Sequence, residues 1–69
     1  MNPTYAELCR MADCAKSELS KRKWNYPRWV ADGRMTQEKA TYETAMMGKI
    51  LAYLLAQADR VQTQPDLLE

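Results

Sequence analysis

A chain of 69 residues with ten Lys/Arg against nine Asp/Glu has a net charge of +1 and room for one domain. That balance excludes the strongly basic signature of a dedicated nucleic-acid binder. With no histidine and two glycines, the chain also lacks the residues for histidine-based acid–base chemistry or a phosphate-cradling glycine loop. A domain this small buries only about 60% of its unfolded surface and usually needs a disulfide, a metal or a partner.

The first helix has a clear start. Thr4-Tyr5-Ala6-Glu7 fits a capping box, and a helix is expected over about 4–24. Tyr5, Leu8, Ala12, Ala15 and Leu19 recur at steps of three and four as a seam of mostly small residues, flanked by Cys9 and Met11. Cys9 and Cys14 lie about 140° apart around this helix and roughly 7.5 Å apart along it, too far to bridge within it. Both are expected as free, partly buried thiols, and without histidine or a second cysteine pair no tetrahedral metal site is expected.

Lys21, Arg22 and Lys23 suit the negative end of that helix. Pro27 disfavours helical geometry at Tyr26, so the spacing predicts a corner over 25–35. Within it, Arg28 to Gly33 reads as one short helical turn begun by proline and ended by glycine. Thr36 then caps a second helix over about 36–62, with Gln37-Glu38 in its first turn. A flexible tail is expected over 63–69. Gly48, the one weak interior residue of the second helix, is expected to permit close approach of the first.

Ala40, Met47, Ile50, Leu51, Leu54, Ala58 and Val61 form one apolar stripe, yet Met46, Tyr53 and Leu55 widen it well past the arc that one neighbouring helix covers. The expected architecture is all-α: an antiparallel two-helix hairpin with a short helical turn at its corner, dimerising into a four-helix bundle. Met46, Met47, Ile50, Tyr53, Leu54 and Leu55 are the expected dimer interface.

The densest chemical cluster runs from Lys21 to Trp29 at the corner with Arg34 close behind, and Arg22, Lys23, Trp24, Tyr26, Arg28, Trp29 and Arg34 are its expected binding residues. Cations and rings together suit a protein partner, since Trp, Tyr and Arg are enriched in binding hot spots. The alternative reading is a nucleic-acid interface, with cations for phosphates and rings for bases. The structural alternative is an aromatic plug closing the hairpin, with the cations as a solvated rim whose stems lie over the rings. Glu38 and Glu43 diverge on a helix and make no acid–base pair. No catalytic set, cofactor, metal or small-molecule substrate is expected.

Tyr26-Pro27-Arg28-Trp29-Val30, followed by Gly33-Arg34-Met35-Thr36-Gln37 and, further on, by Glu43 and Met47 to Ile50, resembles a group of short, uncharacterised bacteriophage and prophage accessory proteins over roughly residues 14–50. The resemblance implies a small accessory protein that binds a host or phage protein and modulates it, and it brings no catalytic residues. No apolar run approaches a membrane span of about 18 residues and no signal peptide is visible, so the expected location is the cytoplasm of a bacterial host.

Overall fold

The computed structural model describes residues 2–63; of the tail expected over 63–69, Thr63 is the last residue of a helix and 64–69 lie outside the described residues. Two helices, α1 (Tyr5–Ala31) and α2 (Gln37–Thr63), pack antiparallel as a hairpin. At 27 residues each they match in length, and each is about 40 Å long.

Both starts are fixed by side chains. The Glu7 backbone N–H donates to Thr4 Oγ1 at 3.1 Å while the Thr4 N–H donates to Glu7 Oε1 at 2.8 Å, the reciprocal pair of a capping box. The Lys39 N–H donates to Thr36 Oγ1 at 3.1 Å at the head of α2.

The corner departs from the sequence expectation. Helix α1 runs unbroken through Pro27 to Ala31, so no separate turn follows the proline and the loop shrinks to residues 32–36. Pro27 removes one N–H from the ladder, but it lies on the exposed outside near the helix end, where water can solvate the freed carbonyl. Packing of Tyr26, Trp29 and Val30, all half-buried, outweighs the local preference. The expected glycine stop holds. Gly33 has φ +76°, its N–H donates to the Val30 carbonyl at 3.1 Å, and the Arg34 N–H donates to the Trp29 carbonyl at 2.8 Å. This double closure needs a left-handed residue, which glycine adopts without a Cβ penalty.

The core is thin. Leu8, Ala12, Ala15, Ala40, Leu54 and Ala58 are the buried hydrophobic residues among those described, and no large side chain is fully buried. Met47, Leu51 and Val61 pack against this cluster from the side. Leu54, 9% exposed, and Met47 belong to the hairpin's own core, in line with the apolar stripe through Met47, Leu51, Leu54 and Val61. Gly48 is a second correction. A Cβ added there would meet nothing within 4 Å, so the close approach comes from the alanine seam. Cys14 is exposed while Cys9 is half-buried.

Since Pro27 interrupts the ladder of an otherwise continuous helix, Pro27→Ala should raise both helicity and stability. The gain is bounded by the ~3 kcal/mol cost of an interior proline. Urea unfolding followed by circular dichroism measures it, and a loss of stability would mean that the proline has a packing role.

Candidate functional site

The corner residues separate into two sets once they are placed in space. Arg22 belongs to the first. Its Nε lies 3.0 Å from Glu18 Oε2, one turn back on α1. Its Nη1 donates to the Glu43 carbonyl on α2 at 2.8 Å and lies 3.7 Å from Glu43 Oε1. The side chain is only 19% exposed, and the guanidinium carbon stands 5.9 Å from the centre of the Tyr26 ring. Arg22 is thus a cross-helix strut. Charge-assisted hydrogen bonds of this kind contribute about 1.5–3 kcal/mol when sheltered, and less here because both carboxylates reach water.

Tyr26 and Trp29 continue the set inward. Their ring centres are 5.4 Å apart, tilted by 38°, within the range of a favourable aromatic pair. Arg34, just past the glycine turn, lays its guanidinium 5.4 Å from the Trp29 ring. The aromatic plug is therefore real for Tyr26 and Trp29, with Arg22 and Arg34 as its covers. These four residues close the hairpin.

Trp24 and Arg28 form the second set, and both are exposed, whereas Lys23 lines a groove with Pro27, Gln37 and Thr41 on the side facing α2. Helical spacing places Trp24 and Arg28 about 160° from the buried Leu8–Ala12–Ala15 direction, on the back of α1. Trp24 is 69% exposed, and Arg28 stands 5.4 Å from its ring centre. The pair is one turn apart, and cation–π contact at an exposed site contributes about 0.5–1 kcal/mol. Lys21, exposed and three residues before Trp24, joins this face. Lys21 opens the cluster in the sequence, although the expected binding residues begin at Arg22.

The second surface lies on α2. Tyr42, Met46, Ile50 and Tyr53 are exposed at steps of four, four and three, which keeps them on one flank. Met11 of α1 joins them across a groove of about 520 Å³ that it lines with Leu8, Tyr53, Leu54 and Val61. Of the residues assigned to a dimer interface from sequence, Met46, Ile50 and Tyr53 share this flank. Leu55 is exposed on the opposite one. Tyr42, four residues before Met46, extends the same spacing on α2, and Met11 is the residue that flanks the α1 seam in the sequence.

At the open end, the Tyr5 phenol is held above its ordinary 10.0 by Cys9, through a hydrogen bond first and the charge of its thiolate second. Desolvation and Asp59 act in the same direction. A raised folded-state value means that the associated stability is fully present below pH 10.0 and is lost as pH rises through the folded value.

Two predictions follow from these contacts. Arg22→Met should lower stability by about 1–2 kcal/mol in urea unfolding, whereas Arg28→Met should stay within about 0.5 kcal/mol, as expected of a surface change. Equal effects would mean that Arg22 is no strut. In an alkaline titration of tyrosine absorbance, Tyr5→Phe should remove the phenol that ionises late, and Cys9→Ala should bring that phenol back toward its ordinary range. An unchanged titration in Cys9→Ala would assign the shift elsewhere.

Compared with known proteins, the chain matches no family model, no curated protein and no solved structure.

Proposed function

We propose that this chain is a non-catalytic interaction protein that pairs with a second copy as a four-helix bundle and docks through the back of α1 on an acidic protein surface. The observation that carries the reading is Trp24. It is the most exposed large hydrophobic side chain among the described residues, it has Arg28 held over its ring, and neither residue is used to close the hairpin. Lys21, three residues before it, adds positive charge on the same face. A tryptophan and an arginine presented together are typical anchors of a protein interface, and the cations favour an acidic counterpart.

The accessory role implied by the phage-like central segment fits such a module, which acts by occupying a host or phage protein. Its action is modulation by binding, and no catalytic set was found in the sequence to support a reaction. The nucleic-acid reading uses the same face, and a net charge of +1 disfavours it.

The test is capture from nuclease-treated bacterial lysate with the wild-type chain and with Trp24→Ala/Arg28→Ala. The double variant should keep its helical signal and lose the proteins retained by the wild type. Retention of the same proteins by the folded double variant would refute the site. Direct binding to single-stranded DNA or RNA, weakening by about 0.7–0.9 log units per phosphate contact for each log unit of salt, would replace the protein partner with nucleic acid.

A further inference from the structure

We infer that the second copy sits on the flank carrying Met11, Met46, Ile50 and Tyr53, with the two hairpins antiparallel and the two-fold axis passing near Ile50. This inference rests on the pairing proposed above and specifies its face and orientation.

Area is the first argument. Helices about 40 Å long in a hairpin 19 Å wide offer a face of roughly 760 Å², close to the ~800 Å² per partner of a stable interface. The second argument is the content of that face. Its apolar strip is continuous over Met46, Ile50 and Tyr53, while on the other flank Leu55 is the one large exposed apolar side chain of α2 among the described residues, with Tyr5 of α1 on the same side. The buried core is mostly alanine, so this flank holds most of the larger apolar side chains that the hairpin leaves uncovered.

Shape fixes the orientation. Along α2 the exposed flank residues Met46, Ile50 and Tyr53 are spaced four and three apart, the repeat of a coiled-coil seam. Antiparallel pairing about Ile50 sets Ile50 against its own copy and Met46 against Tyr53 and Leu54 of the second chain. Met46 then enters the groove lined by Met11, Tyr53 and Leu54, and sulfur against the tyrosine ring is a favourable contact. Glu43 falls beside Gln57 and Arg60 of the second copy, an acceptor against donors, while Lys39 lies at the solvent end of the contact.

The same symmetry acts on α1. The in-chain register that sets Arg22 beside Glu43 and lines one groove with Met11 and Tyr53 places Cys14 level with Ile50. Cys14 is exposed and lies one helical turn from Met11 on the same side. Near the axis it faces Cys14 of the second copy, within the ~7 Å between Cα atoms that a disulfide needs. Cys9 lies on the other side of α1.

Light scattering and mild copper–phenanthroline oxidation of the full chain test this together. The expected mass is twice 8.0 kDa. Oxidation should yield a covalent dimer in the wild type and in Cys9→Ser, and none in Cys14→Ser. Ile50→Glu should weaken association at least about 30-fold, as loss of a central anchor does, while Leu55→Glu leaves it unchanged. A monomer throughout the micromolar range would overturn both the face and the pairing. A dimer broken by Leu55→Glu and indifferent to Ile50→Glu would overturn the face alone. A dimer on the expected face that fails to cross-link through Cys14 would overturn the orientation. The cross-linking arm keeps the wild-type core, so it decides even if Ile50→Glu does not fold.

Discussion

Alanine sets the terms of this fold. Ala12 and Ala15 on one helix and Ala40 and Ala58 on the other are among the few buried residues, and small side chains let two helix backbones come close. Close approach shortens the loop and allows Arg22 to reach a backbone carbonyl on the facing helix. It also limits how much apolar surface each residue removes from water, because burial scales with the area hidden. A hairpin held at alanine distance has little depth, and its larger apolar side chains are left on the flanks.

That constraint explains what could be read from the sequence. The capping box at Thr4 and Glu7, the Thr36 cap and the glycine stop at Gly33 are local devices, and each is where its residue types placed it. The seam from Leu8 to Leu19 was legible because its spacing repeats over several turns. Pro27 was misread because its local preference is strong but its position is forgiving: it lies outside, near the helix end, where ring contacts hold the last turn in place. The stripe through Met47 and Leu54 was legible as core, but not the line at which the wide apolar arc leaves the hairpin's cover. That line is set by the partner helix, which local spacing cannot locate.

The corner was legible as a cluster and illegible as a division of labour. Seven neighbouring cations and rings look equivalent in a sequence, whereas on a continuous helix they point in different directions. Arg22, Tyr26 and Trp29 turn toward α2 or the loop and, with Arg34, stiffen the closed end. Trp24 and Arg28 turn away. The helical continuation through Pro27 makes this separation, because a separate turn there would have re-aimed Arg28 and Trp29 relative to Trp24.

The same continuation bears on the thermodynamics of recognition. A docking residue on a mobile corner surrenders backbone and side-chain freedom when its target arrives, and each rotamer-rich side chain immobilised costs about 0.5–1.5 kcal/mol. Trp24 and Arg28 stand on an uninterrupted helical rod and are already stacked on each other. Much of their disorder was relinquished during folding. A ligand for this face meets a rigid template, so its affinity depends chiefly on how well its own shape and charge fit.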